Sequence, residues 1–241
     1  MSALSAPLPA VAPESARAVP VASRRETARL WRTAGALAVA HVVLMLAGFA
    51  LQRVAPLDSS PGAVVSTLRA QALGRTYAGS AVALVAFLVL LADVALLARL
   101  MRGRDETTRW LASLTTASAT VYVAVTFATA FAGATAALYA THQGADASVV
   151  AALSSLHWFA VSVATGALGL LTALIGALAW RTRALPRWLA VGAFLVAAVS
   201  FAGSVPGTGT LVDDVTLIWI VWFVATGIAA IRAGSRRDAR A

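Results

Sequence analysis

The chain lacks cysteine and lysine, and only 12% of its 241 residues are charged. Without cysteine it cannot form a disulfide, a thiolate nucleophile, or a cysteine-bound zinc or iron–sulfur site. Soluble domains carry about a quarter of charged residues. Here 60% of the residues are hydrophobic and the mean hydropathy is +0.81. These deficits indicate an integral membrane protein, and the abundant alanine with missing lysine resembles proteins of GC-rich bacterial genomes.

Six long apolar runs organise the sequence. A bilayer crossing takes about 20 apolar residues, and a crossing segment must satisfy its own backbone hydrogen bonds, so we expect helices rather than strands. The fold class predicted is therefore all-α, a polytopic membrane protein built as a six-transmembrane-helix bundle. The runs are Thr33–Leu51, Tyr77–Leu100, Trp110–Ala140, Val149–Trp180, Trp188–Val205 and Val215–Ile231.

The segments outside these runs are polar or rich in proline. Four prolines precede residue 21, which predicts a disordered cytoplasmic tail over residues 1–28. The six-helix transmembrane domain is then expected over residues 29–234, followed by a basic cytoplasmic tail over residues 235–241.

Arginine supplies all 19 basic residues, and its distribution predicts the orientation. Only Arg53, Arg69 and Arg75 fall in the connections after odd-numbered runs, which divides the arginines 16 against 3. Cytoplasmic loops carry the excess of arginine and lysine. We therefore expect a multi-pass protein of the bacterial inner (plasma) membrane with both termini in the cytoplasm.

The first external connection carries signals of a short extracytoplasmic helix. Ser60 suits an N-cap, Pro61 suits the first helical position, and Gly74 suits the C-terminus. The third and fourth runs are also about ten residues longer than a crossing requires. Their outer parts, Phe131–Ala140 and Val149–Ala160, are expected either to project as a hairpin covered by this helix or to tilt within the membrane.

Asp93 and His41 form a candidate intramembrane polar pair. Asp93 lies about eight residues from the cytoplasmic end of the second run, where a charged side chain costs about 2.5–3.5 kcal/mol. His41 lies about eight residues into the first run from the same side, so the two are expected at matching depth. They are interpreted either as a polar contact between two helices or as a proton-handling site.

His157 and Trp158 form a second candidate site, at the outer interface of the fourth run. Such residues are typical interfacial anchors. His41 and His157 lie near opposite faces and only His142 remains, so the histidines are too few for a membrane haem protein. No cofactor and no metal site is predicted. Small residues of the fourth run are expected to allow close helix packing: Gly166, Gly169, Ala173, Gly176 and Ala177.

The segment from Arg183 to Val191, with its motif Leu185-Pro186-Arg187-Trp188-Leu189, follows a long helix rich in small residues. In this motif and in its six runs, the chain resembles an uncharacterised bacterial six-helix membrane protein family known as domain of unknown function 4386. The resemblance spans about Leu30 to Gly234. It implies a topology, and the family has no established activity that it could lend.

Motifs for nucleotide binding, zinc-dependent hydrolysis and serine hydrolysis are missing from the sequence. We interpret the chain as a non-enzymatic membrane protein that acts through lipid or protein partners, which include a second copy of itself, and not through nucleic acid. The alternative is a small proton-coupled transporter or channel that uses Asp93 and His41. A membrane enzyme is disfavoured because no catalytic set of residues is evident.

Overall fold

The computed structural model describes residues 21–205 and 209–239, and all regular structure there is helical. A π-helical turn, called the π segment below, joins α4 and α5 into one continuous stretch. The elements are α1 (Val21–Ala50), α2 (Pro61–Arg69), α3 (Leu73–Met101), α4 (Glu106–Val125), the π segment (Thr126–Phe131), α5 (Ala132–His142), α6 (Ala147–Thr182), α7 (Arg187–Gly203) and α8 (Gly209–Asp238).

Several of these helices are long and apolar enough to cross a membrane, which confirms the prediction of a helical, multi-pass membrane protein. Helix α7 is apolar but has only 17 residues. The stretches of sufficient length among the described residues are Arg25–Ala50, Leu73–Met101, Glu106–His142, Ala147–Thr182 and Asp214–Asp238.

The long helices form a closed ring. Helix α1 packs against α3, α3 against α4, the α4–α5 stretch against α6, α6 against α7, α7 against α8, and α8 against α1. Neighbours along the chain are thus neighbours in space, as short connections favour. One end of the ring carries α2 and is called the α2 end. The opposite end, called the termini end, carries the start of α1 and the finish of α8.

Small residues let helices in this ring touch backbone to backbone. A Cβ atom on Gly35 of α1 would meet the carbonyl oxygen of Gly227 and the side chain of Ile231 in α8. Between α6 and α7, a Cβ atom on Gly176 would lie 2.7 Å from the Cβ of Ala193. The expected packing role of small residues in the fourth run is confirmed for this glycine. A Cβ atom on Gly169 would lie 3.1 Å from the Cβ of Ser200 in α7, and one on Gly166 would lie 3.3 Å from the Cβ of Ser204, which follows α7.

Helix α2 occurs where its signals predicted it. Ser60 accepts a hydrogen bond from the amide of Ala63 (3.4 Å), and Pro61 is the first helical residue. Val64 and Leu68 are buried in a small apolar cluster with residues of α5 and α6. Helix α2 therefore covers the paired ends of α5 and α6.

The predicted stop of this helix was wrong. Helix α2 ends at Arg69, with Ala70 as its C-cap, and Gly74 lies inside the first turn of α3. The residue Gly74 keeps a negative φ, so its conformation does not require glycine.

Helix α1 begins at Val21, which contradicts the predicted disorder of residues 21–28; residues 1–20 lie outside the described part of the chain. Tertiary contacts with α8 explain the extension. Ala28 is fully buried, and the Arg237 guanidinium lies 4.5 Å from the centroid of the Trp31 ring. Arg32 and Asp238 form an ion pair of 3.3 Å.

We expect Gly35→Ala to destabilise the protein, because the new methyl group collides with the backbone of α8. Overpacking of this kind costs about 1–3 kcal/mol. Gly62→Ala is the matched control, since a Cβ atom there meets nothing within 4 Å. The measurement is unfolding by sodium dodecyl sulfate in mixed micelles, followed by circular dichroism. Equal stability of the two variants would contradict the close α1–α8 contact.

Candidate functional site

A cavity of about 680 Å³ opens at the α2 end of the ring, among α1, α3, the α4–α5 stretch, α6 and α8. This volume lies within the range of about 300–1,000 Å³ that is usual for small-molecule sites. Aromatic side chains form much of its wall: Phe49, Phe87, Tyr122, Phe131, Trp158 and Trp219. Polar side chains are scattered among them: Gln52, Asp58, Thr126, His157, Thr165 and Thr216.

Part of this wall is the π segment. Phe127 and Phe131 stack with ring centroids 4.8 Å apart, and both rings contact Phe87 of α3. Thr126 and Ala130 of the same segment also line the cavity. π-Helical turns within α-helices are rare and occur frequently at functional sites. Here the π-helical turn places side chains of the segment against the cavity.

His157, predicted as an interfacial residue, lines this cavity. Its Nδ1 atom lies 2.7 Å from the carbonyl oxygen of Ala130 in the π segment. Because a carbonyl oxygen can only accept, Nδ1 carries the hydrogen in this contact. In the neutral imidazole, Nε2 is then a free acceptor. The histidine therefore connects α6 to the π segment and keeps an unbonded acceptor.

Trp158, the other residue of this pair, holds the connection between α1 and α2 over the cavity. Its indole Nε1 donates a hydrogen bond of 3.0 Å to the carbonyl oxygen of Ala55, which is fully buried. Residues that follow Ala55 reach the cavity mouth, and among them Leu57 and Asp58 are exposed. His157 and Trp158 are in ring contact at 5.4 Å, so the structure brings this predicted pair together.

His41 lies in the core, one layer beyond the cavity. Its Nδ1 donates to the carbonyl oxygen of Ala86 (2.7 Å), and its ring makes edge contacts with Phe87, Trp219 and Phe223 at 5.7–5.8 Å. Phe87 and Trp219 also form the floor of the cavity. Two aromatic rings therefore separate His41 from the open space.

Asp93 is fully buried, and neither carboxyl oxygen has a hydrogen-bond partner within the described chain. The expectation that it lies level with His41 was wrong. His41 bonds Ala86, which is seven residues and about 10 Å from Asp93 along α3. The offset follows from the tight contact of Gly48 in α1 with Gly79 in α3, which sets the register of the two helices. The structure does not bring the predicted pair together.

Several residues that line the cavity were not predicted from the sequence. The acidic Asp58 was an ordinary loop residue by sequence, and Tyr122 and Thr126 were part of a helix rich in hydroxyl groups. One signal was present. Phe127 and Phe131 are spaced by four residues, which places two rings on one helix face. That spacing is also typical of an ordinary apolar face, so it could not indicate a cavity.

Comparison of the chain with protein-family models, with curated proteins and with solved structures gives no match in any of the three.

Proposed function

We propose that the protein crosses the membrane six times, with α7 as the fifth crossing and with the α2 end outside the cytoplasm. Helix α7 spans about 25 Å at the helical rise, close to the roughly 30 Å of a hydrocarbon core. It packs between α6 and α8 in the ring. The arginines support the orientation. At the α2 end, Arg53 precedes α2, Arg69 ends it and Arg75 lies in the first turn of α3, whereas the arginine clusters lie at the termini end.

The absence of native cysteine makes this topology directly testable. Ser66→Cys places a thiol on the exposed face of α2, and Ser235→Cys places one at the termini end. We expect a membrane-impermeant maleimide to label Ser66→Cys in intact cells and Ser235→Cys only after permeabilisation. If both cysteines were labelled from the same side, the chain would cross the membrane an odd number of times in total. A reversed labelling pattern would mean that the protein has the opposite orientation.

We further propose that the protein is non-enzymatic and binds a small, lipid-like amphiphile in the cavity. The observation that carries this proposal is the gradient of polarity along the cavity. Its mouth has the exposed carboxylate of Asp58, and its floor has the buried rings of Phe87 and Trp219. An amphiphile in the outer leaflet has the same order, with its polar group at the surface and its chain toward the bilayer centre.

The apolar lining supports binding of an alkyl chain. Met45, Leu168 and Phe131 surround the deeper part together with the floor residues. Each methylene group that moves from water to such surroundings contributes about 0.8 kcal/mol, although a ligand that comes from the bilayer gains less. Selective binding from lipid therefore depends on shape and on the polar groups near the mouth.

We expect a diazirine-bearing alkyl alcohol, in nanodiscs of zwitterionic lipid, to photolabel residues that line the cavity as well as the outer faces of the helices. Ala164→Phe fills the space and should abolish the labels at Met45 and Phe131. Ala152→Phe is the matched control, because Ala152 is exposed on the same helix and is not part of the lining. Labelling of outer faces alone in the wild-type protein would refute the proposal.

Proton-coupled transport is the second candidate, and the unpartnered carboxyl group of Asp93 is the observation in its favour. The position of Asp93 argues against coupling to the cavity. It lies six residues, or about 9 Å, beyond Phe87 at the floor.

We therefore expect Asp93→Asn to leave both cavity photolabelling and proton leak in liposomes unchanged, because the amide has the same shape and touches no ligand. The measurements are mass spectrometry of the photolabelled protein and fluorescence of a pH-sensitive dye inside the liposomes. Loss of a wild-type proton flux in this variant would favour the transporter instead.

A further inference from the structure

Most side-chain hydrogen-bond donors that line the cavity are already bonded within the protein, whereas several acceptors are not. The donor groups of its tryptophans and threonines already serve the protein, and the pattern repeats from one helix to the next. Trp158 donates to Ala55 at 3.0 Å, and Trp219 donates to the hydroxyl of Thr172 at 3.2 Å. The hydroxyl groups of Thr126, Thr165 and Thr216 each donate to the carbonyl oxygen four residues earlier, all at 2.8 Å.

The acceptors of the same side chains are left for a ligand. A threonine oxygen that donates its hydrogen keeps lone pairs. His157 donates its Nδ1 hydrogen to the carbonyl oxygen of Ala130, so Nε2 of the neutral ring can accept a hydrogen bond. Gln52 donates to Gly48 at 3.3 Å, which leaves its carbonyl oxygen and one N–H. The hydroxyl of Tyr122 is hydrogen-bonded to the side chain of Thr126, so the N–H of Gln52 is the side-chain donor that stays available.

The charge of the lining also favours a ligand that donates hydrogen bonds over an anionic one. Asp58 is the one carboxylate among the described side chains that line the cavity, and that lining contains no arginine. The nearby Arg53 and Arg75 are not lining residues, and the Arg75 guanidinium is directed to the carbonyl oxygen of Ala50 (3.3 Å). A phosphate, sulfate or carboxylate head would thus meet acceptors and a negative charge.

We propose that the cavity selects amphiphiles with a cationic, hydrogen-donating head, namely alkylammonium compounds, over anionic ones. This inference rests on the proposed function and names the ligand class of the same site. The ammonium group lies at the mouth near Asp58, where its N–H groups donate to the carboxylate and to acceptors such as Nε2 of His157. The aromatic side chains nearby also favour a cation over an anion. The alkyl chain extends toward Phe87 and Trp219.

The test is competition against the photolabel at about pH 8, well above the ordinary histidine pKa of about 6.5. Dodecylammonium and dodecyl sulfate share one chain and differ in the head, and their amounts are compared as measured in the nanodisc membrane. We expect dodecylammonium to displace the label from cavity residues at a concentration at least about tenfold lower, as a charge-assisted hydrogen bond provides.

Two variants separate the role of Asp58 from that of overall charge. Asp58→Asn should reduce the preference for dodecylammonium by about tenfold, because the carboxylate acceptor is lost. Asp214→Asn is the matched control, since it removes the same charge from an exposed position outside the lining and should keep the preference. Folding is not at risk in the first variant, because Asp58 is exposed.

The outcomes distinguish the two proposals. Wild-type protein without any photolabel in the cavity would defeat amphiphile binding itself. Photolabel in the cavity that dodecyl sulfate displaces as well as dodecylammonium would leave amphiphile binding intact and overturn the selectivity. A preference for dodecylammonium that both Asp variants retain would overturn the role of Asp58 and with it this assignment.

Discussion

The contact between α1 and α8 is the interaction on which the ring depends, because it joins the first long helix to the last. It is made by small residues, with Gly35 against Gly227 and Ala28 against Gly234. Lipid chains are as apolar as leucine, so membrane helices associate through close packing rather than through a hydrophobic drive. At the α2 end the same helices carry Met45 and Trp219 instead, and there the ring encloses a cavity rather than a tight seam.

The bundle consequently has two halves of different character. In the half toward the termini end, Gly35 and Gly234 of α1 and α8 bring the two backbones together, and Asp93 is fully buried there. In the other half, Gly48 and Gly79 keep α1 close to α3, and aromatic side chains around the π segment line the cavity. Phe87 and Trp219 stand at the boundary, where they contact His41 on one side and the cavity on the other. The buried side chains of His41 and Asp93 are thus separated from the cavity.

Features that depend on near neighbours in the chain could be predicted well. Ser60 and Pro61 indicated the start of α2, because capping involves groups within three residues. Gly176 indicated close packing, because a missing side chain permits it wherever a partner helix lies. The helical start of α1 was missed, because Ala28 and Trp31 near this start pack against Gly234 and Arg237 of α8, more than 200 positions further along the sequence. The predicted depth of His41 relative to Asp93 was wrong for a similar reason, since it depends on the register of α1 against α3.

The sequence by itself determined that this is a helical membrane protein, where its long helices lie, and that its arginines gather at one end. Composition and hydropathy suffice for these properties, because the bilayer imposes them on each segment separately. Only the tertiary structure decided which side chains share a space. The cavity collects residues from Met45 to Trp219 across five parts of the ring. The Nδ1 hydrogen of His157 and the indole hydrogen of Trp158 are bonded to carbonyl groups 27 and 103 positions away, and no local pattern in the chain records those partners.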